Sequence, residues 1–345
     1  MAASDDLVGA SPDLREATDA DAVAGVRPTW VAAPATADEA AALMRACAEH
    51  GLAVVARGGG TKLTWGAPPA RVDVVVDTGH LNHVVEHAAG DLVVVAQAGV
   101  RLADLQKHLA ATRQRLALDE TVPGSTVGGV IAASPSGPRR MATGTVRDLL
   151  IGVTMVRADG EVAKAGGKVV KNVAGYDLGK LLTGSFGTLG LITEAVFRLH
   201  PVPPAGRWVS ARVDGDLGTV LRSVLTAKMV PAALEVDRPV GGPTTVAVLV
   251  EGTPTGVDHR ADTVAGLLGA GAEQSADGPP WGSTYPWPAG GVALKLTCVL
   301  SAVPDVLAAA ADAGVAVRGS AGTGVLYGTV EPERAAAAVA ALRPV

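Results

Sequence analysis

Three consecutive glycines stand between two cations in Arg57-Gly58-Gly59-Gly60-Thr61-Lys62, directly after the apolar run 52–56. A buried strand that runs into such a loop lets several backbone N–H groups converge on one point. Convergent amides bind anions, phosphates above all. Thr61 adds a hydroxyl, and Arg57 and Lys62 add charge. The competing reading is a tight turn that only permits close packing. A second rich segment spans 121–137. There Thr126 precedes Val127-Gly128-Gly129 and an apolar run, which predicts a short helix with its N-terminus free for an anion. A third segment spaces Gly184, Gly187 and Gly190 by three before a strand. Several separate glycine approaches suit a long ligand such as a flavin dinucleotide better than one loop does.

The standard nucleotide fingerprints fail. A GxGxxG reading of Gly58 and Gly60 needs glycine at 63, where Leu63 stands. A GxxxxGK[ST] reading of Gly179-Lys180 meets Ala174 and Leu181.

The elements that must hold these loops alternate between strands and helices. Residues 30–33 read as a short strand. Thr36 and Glu39 form a capping box for an Ala-rich helix that runs to about residue 50. Strands follow at 52–56 and 72–76. Two hairpins are predicted, 84–88 with 92–96 and 148–157 with 161–164, and a helix lies at 101–111. The cluster His200-Pro201-Val202-Pro203-Pro204 reads as a linker. Beyond it, strands at 208–213, 232–236, 246–250, 292–299, 315–318 and 325–330 alternate with helices at 217–229, 257–268, 302–313 and 332–342. That pattern predicts an α+β sheet covered by helices on one face.

The chain of 345 residues fits two domains, and its 48% apolar content supplies a large core. Only 18% of residues are charged, which excludes general disorder. A net charge of −5 and a mere ten aromatics give no footprint for nucleic acid. Cys47 and Cys298 stand far apart and form no metal-binding spacing. Residues 1–26 are acidic and lack a signal-peptide pattern, and no apolar stretch approaches the ~18–20 residues of a membrane span. A cytoplasmic protein is expected.

At this point the chain resembles a known family. Residues 27–202 look like the FAD-binding domain of the vanillyl-alcohol oxidase / p-cresol methylhydroxylase (PCMH) type. The resemblance rests on RGGGTKLTWG (57–66), VVVAQAGVRLADL (93–105), STVGGVIAASPSGPRR (125–140), TGTVRDLLIGV (143–153) and GGKVVKNVAGYDLGKLLTGSFGTLGLITEAVFRLHP (166–201). It is strongest toward the small FAD-binding subunit of bacterial glycolate oxidase. It implies a flexible N-terminus at 1–26, a PCMH-type domain of two α+β subdomains at 27–202, and a smaller α+β cap domain with an antiparallel sheet at 203–345.

The resemblance also implies roles. Arg57, Gly58, Gly59, Gly60, Thr61, Lys62 and Leu63 would form the pyrophosphate loop. Thr126, Gly128 and Gly129, with Ser134, Ser136 and Gly137, would line the second side of the cofactor. Val146 and Ile192 would offer backbone to the adenine end. Asp119-Glu120 stands where the family has Asp-Pro, and Ser134 where it has Asn. Thr61 stands where flavin-linking relatives carry His, so non-covalent FAD is expected. Gly59→Val is expected to abolish FAD binding by filling the pyrophosphate site and forbidding a positive φ.

As function, the resemblance implies the FAD-binding subunit of a 2-hydroxy-acid dehydrogenase. A larger flavoprotein and an iron–sulfur subunit would be its partners, and any membrane association would come through them. Two alternatives stand beside it: a flavin-binding structural or electron-relay subunit, and a self-sufficient FAD-linked oxidase of another alcohol. The catalytic relatives carry a His-rich motif near their C-termini, whereas only His259 follows residue 205 here.

Other residues carry weaker signals. Lys171, Tyr176 and Asp177 read as a flavin- or substrate-facing loop, or as a turn in which Asp177 caps the next helix. Arg139-Arg140 reads as a carboxylate site or as an exposed or partner-facing pair. His80, His83 and His87 read as solvent-facing polar side chains rather than as metal ligands. The loop 277–291 holds Trp281, Tyr285 and Trp287, and lines a pocket or covers the core.

Overall fold

The computed structural model describes residues 2–168, 176–288 and 290–343. They form two compact units, Met1–Pro135 with Thr145–Val202 and Ser136–Gly144 with Pro203–Val345.

The first unit holds two larger sheets. Its four-stranded sheet has the order Leu14–Glu16, Trp30–Ala32, Val74–Asp77, Val54–Arg57. The last three strands run parallel, so the apolar run of Val74, Val75 and Val76 is buried on both faces. The helix Ala37–Glu49 covers one face with Ala40, Leu43, Met44 and Cys47. Thr36 accepts from the Glu39 N–H at 3.1 Å, and the Glu39 carboxylate accepts from the Ala35 N–H at 2.8 Å. The Thr36 cap thus fixes where that helix starts, while Glu39 reaches past it to Ala35 and leaves the expected capping box half closed.

The N-terminal segment corrects an expectation. In the segment 1–26, expected to be flexible, the described residues 2–26 fold onto this sheet. Leu7 in the helix Ala2–Ala10 is fully buried beside Leu43 and Val74, and Leu14–Glu16 pairs antiparallel with Trp30–Ala32. An acidic composition concealed one apolar anchor and one edge strand.

The second sheet of this unit is antiparallel, in the order Val84–Ala88, Val93–Gln97, Leu191–Arg198, Leu150–Val156, Val162–Gly166. Both predicted hairpins are present. The helices Leu102–Ala110 and Val127–Ala133 bury Leu105, Leu109 and Ile131 with Ala195 and Phe197 of the sheet.

The second unit carries a seven-stranded antiparallel sheet, ordered Glu273–Ser275, Ala205–Val213, Thr244–Gly252, Ala233–Arg238, Ala316–Ser320, Val325–Val330, Val292–Thr297. Alternate residues Val246, Val248 and Val250 face a core shared with the helices Leu217–Thr226, Pro254–Leu268, Val303–Asp312 and Ala335–Leu342. Period-two alternation is the mark of a sheet covered on one face. The intervening residues Ala247 and Leu249 cluster with Trp208, Ala233 and Trp281. Ser136–Gly144 belongs here, not with the residues 27–202 that surround it. Its Met141 packs against the helix-covered core, and the Ser136 N–H donates to the Tyr285 hydroxyl at 3.0 Å.

Among the described residues, no helix is long and apolar enough to cross a membrane.

Candidate functional site

The strand Val54–Arg57 delivers the glycine loop at its C-terminal end, where the Arg57 carbonyl accepts from the Thr78 N–H at 2.9 Å. After that bond the ladder stops. Among the described residues, the N–H groups of Gly58, Gly59 and Gly60 donate to no backbone or side-chain oxygen. Backbone donors are nearly always paired with protein or solvent, so three adjacent unclaimed ones form a ready anion cradle. The glycines are needed for different reasons. Gly60 has φ of +70°, in the left-handed region. A Cβ on Gly58 would overlap Thr126 Oγ1, and one on Gly59 would overlap the Gly124 carbonyl oxygen. The positive φ therefore belongs to Gly60, not Gly59. A side chain at 59 would strike the neighbouring loop, where a Cβ in the anion site was expected.

An open cleft of about 410 Å³ borders this loop. One wall is Ala56, Arg57 and Gly58, and another is Ala98, Gly128 and Gly129. The third is Phe186, Gly187, Gly190 and Ile192. The two sheets of the first unit thus meet across it. An apolar cleft of about 710 Å³ adjoins, sharing Ala56, Gly187 and Gly190 and adding Met44 and Leu52. A polar one of about 850 Å³ shares Gly58 and Thr78 and adds Asp77, Asn82 and Asp104.

Arg57 does not spend its charge on the cleft. Its guanidinium donates to Asp77 Oδ2 and to Asp21 Oδ1, both at 2.8 Å. Asp21 is almost fully buried and is also gripped by Arg15 through two bonds of 2.7 and 2.8 Å. Arg15 foremost, helped by Thr18 and Arg57, holds the Asp21 carboxyl far below the usual carboxylate range. This cluster anchors the base of the loop.

Lys62 is the more available cation. Its Nζ lies 2.5 Å from Ser125 Oγ and 3.1 Å from Thr61 Oγ1, and sits 5.8 Å from the Trp65 ring centroid. Burial pushes its ammonium down to about 8, against a small upward pull from Glu120. The Glu120 carboxylate itself accepts from the Gly124 and Ser125 N–H groups. A half-desolvated ammonium gains from a nearby anion.

The start of the helix Val127–Ala133 departs from expectation. Its first amides are not free. Val127 N–H donates to the Val100 carbonyl at 2.9 Å, Gly128 N–H to Ala98 at 2.8 Å, and Gly129 N–H to Thr126 Oγ1 at 3.3 Å. An antiparallel bridge between Arg101 and Thr126 draws the segment onto residues 98–101 and uses up the donors. Gly128 is glycine because a Cβ would sit 2.8 Å from Ala98 Cβ.

The structure therefore brings Arg57, Gly58, Gly128, Gly129 and Ile192 to one cleft, with Gly59, Gly60, Thr61 and Lys62 beside it. Leu63 packs instead against the small core of Val31, Val72 and Val75. Val146 is fully buried, and its carbonyl accepts from the Leu150 N–H, so it offers the cleft nothing. Ser134 ends its helix in a left-handed conformation, outside the cleft lining. Ser136 and Gly137 lie in the second unit.

Sequence reasoning missed Ala98, Thr78 and Asp21. Only their places in the fold reveal them, since nothing in their local sequence marks a site. Lys171 lies outside the described residues. Asp177 caps the helix Leu178–Leu182 by accepting from the Lys180 N–H at 3.1 Å, and Tyr176 is exposed. Arg139 lies 3.6 Å from Glu251. His87 Nε2 meets Gln114 Oε1 at 2.9 Å, and His80 Nε2 lies 3.4 Å from Asp13 Oδ2.

Comparison with known proteins agrees with this geometry. The family model described as "FAD binding domain" matches residues 28–166, which span the loop and most of the cleft. The chain carries an FAD binding domain. Glycolate oxidase subunit GlcD of Bacillus subtilis is 36% identical over 217 residues, 61% of this chain and 46% of that protein. D-lactate dehydrogenase of Archaeoglobus fulgidus is 38% identical over 174 residues, 50% of this chain and 38% of that protein. The matched region thus spans less than half of these relatives. Among solved structures, p-cresol methylhydroxylase with substrate bound aligns over 99% of this chain and 86% of its own, with a TM-score of 0.76 at 13% identity. Chitooligosaccharide oxidase aligns over 99% and 86%, with 0.72 at 17%. At such identities the likeness is one of fold: α+β, of the PCMH type, continuing beyond the FAD binding domain.

The residues present fit the cofactor. Three unclaimed amides suit a pyrophosphate, and walls of glycine and alanine leave room for close approach.

Proposed function

We propose that this chain is the FAD-binding subunit of a 2-hydroxy-acid dehydrogenase of the glycolate oxidase kind. It works with a larger flavoprotein and an iron–sulfur subunit. The reading is carried by the three unclaimed amides of Gly58, Gly59 and Gly60 at the mouth of a glycine-walled cleft. In it these amides and the Lys62 ammonium hold the pyrophosphate, while Gly128, Gly129 and Ile192 line the remaining length. FAD supplies two-electron redox chemistry when bound, held without a covalent link. Thr61, the residue after the glycines, has a hydroxyl already engaged by Lys62. Cys47 and Cys298 are single free thiols, so iron–sulfur ligands come from a partner.

One observation favours a second reading, a flavin-binding or electron-relay subunit without activity of its own. Among the described residues, the cleft lining holds no ionisable side chain besides Arg57, and Arg57 is engaged by Asp21 and Asp77. No group there is poised to take a substrate proton.

A single experiment separates the readings. The chain is purified alone and with co-expressed partners, its flavin spectrum is recorded, and glycolate or D-lactate is added without oxygen. A yellow chain bleached only within the complex supports the subunit reading. Bleaching of the isolated chain points to a self-sufficient oxidase. A colourless chain that takes up no added FAD removes the proposal.

A further inference from the structure

Phe186 combines three properties that rarely meet in one residue. It lines the cleft. Its side chain is 54% exposed, whereas the other phenylalanine, Phe197, is buried in the core. Its φ is +53°, in the left-handed region that a bulky L-residue avoids. The segment is built to hold this conformation. Gly184, Gly187 and Gly190 around it have φ of +80°, +75° and +154°, and the Phe186 N–H donates to the Ala132 carbonyl at 2.8 Å. A strained aromatic left in solvent beside a cleft gains nothing for folding. Such outliers point to function.

We infer that the Phe186 ring is the stacking platform for the purine of the nucleotide half of FAD. The inference rests on the FAD reading above. Base–aromatic stacking needs only a flat exposed ring and tolerant neighbours, and apart from Arg57 and Thr78 the rest of the lining is glycine, alanine and aliphatic side chain. The purine is the better occupant than the flavin ring on chemical grounds. A ring that exchanges hydride with a substrate needs a proton carrier and substrate access. The lining here offers a single ionisable side chain, Arg57, already held by two carboxylates. A chemically inert niche beside an anion loop suits the adenosine end.

The test compares FAD, ADP and FMN binding to the full chain and two variants by calorimetry. Phe186→Asn keeps a residue that tolerates left-handed backbone but removes the ring. Phe186→Tyr keeps the ring. The expected result is roughly tenfold or greater loss of FAD and ADP affinity in F186N, with FMN affinity unchanged and F186Y near wild type. Melting temperature stays equal or rises in F186N, because a half-exposed ring leaves a strained position. Equal losses for FMN and FAD, or no loss of ADP affinity, overturn the stacking role while leaving FAD binding intact. Wild-type chain that binds neither FAD nor ADP overturns both readings.

Discussion

The Gly58–Gly60 loop and the Thr126–Gly129 turn look alike in sequence and do opposite things. Both follow a hydroxyl- or cation-bearing stretch, both contain adjacent glycines, and both read as anion sites. In the first, three N–H groups remain unclaimed. In the second, the amides of residues 127–129 are taken by Val100, Ala98 and Thr126. One set of glycines presents donors, and the other lets a helix start press against a strand end. Glycine alone does not mark a phosphate site; the bookkeeping of the amides does.

The contrast can be broken most forcefully at Gly59. Gly59→Val drives a branched side chain into the Gly124 carbonyl and should cost about 3 kcal/mol or more, with bound flavin falling to background. Flavin content equal to wild type after purification would remove the loop from the site. Asp21→Ala comes next. It strips Arg57 and Arg15 of a buried partner and should cost about 3 kcal/mol in denaturant titrations. The pH dependence has a definite sign. A carboxyl held below its unfolded value gives stability that is fully present above pH ~4 and is lost as pH falls below it. Asp21→Asn should flatten that acid limb; an unchanged limb would mean other carboxylates carry it.

Gly128→Ala probes the packing partner. Its Cβ would meet Ala98 Cβ at 2.8 Å, which should cost about 1–3 kcal/mol and lower the melting temperature. FAD affinity of the folded fraction should change by less than about threefold, since no free amide is disturbed. A larger affinity loss than stability loss would erase the distinction between the two segments.

Lys62→Met sharpens it from the side of charge. The depressed ammonium favours the fold fully above pH ~10.5, and that contribution is lost as pH falls through about 8. The variant should therefore melt about 2–4 °C higher at pH 7. FAD affinity of the natural chain should fall as pH rises through 8, and that of the variant should be flat. The smallest effect is expected of Gly60→Asn, about 1 kcal/mol or less. The backbone there is left-handed, but the nearest atoms to a Cβ are 4.0 Å away.

Much of the fold was legible because it is locally encoded. The Thr36 cap, the hairpin Val84–Ala88 with Val93–Gln97, and the alternation at 246–250 each declare themselves within a short stretch of chain. The glycine loop was legible for the same reason. Its anchor was not, since Asp21 stands 36 residues from Arg57 in a stretch whose acidity suggested a free tail. The committed amides at 127 and 128 escaped because their acceptors lie near residue 100, a pairing that only tertiary contact creates. Phe186 could have been noticed as one of two phenylalanines, set between glycines, but its exposure and φ are properties of the fold.

The excursion of Ser136–Gly144 into the second unit has a consequence for synthesis. The chain passes between units after Pro135, after Gly144 and after Val202. As the ribosome delivers the protein, residues 136–144 emerge before the sheet they will join has begun to appear. They must wait, with Met141 and Ser136 unpartnered, until Gly322 and Tyr285 arrive. The second unit cannot be liberated intact by cleavage at the proline cluster, because its segment Ser136–Gly144 is joined in the chain to the first unit on both sides.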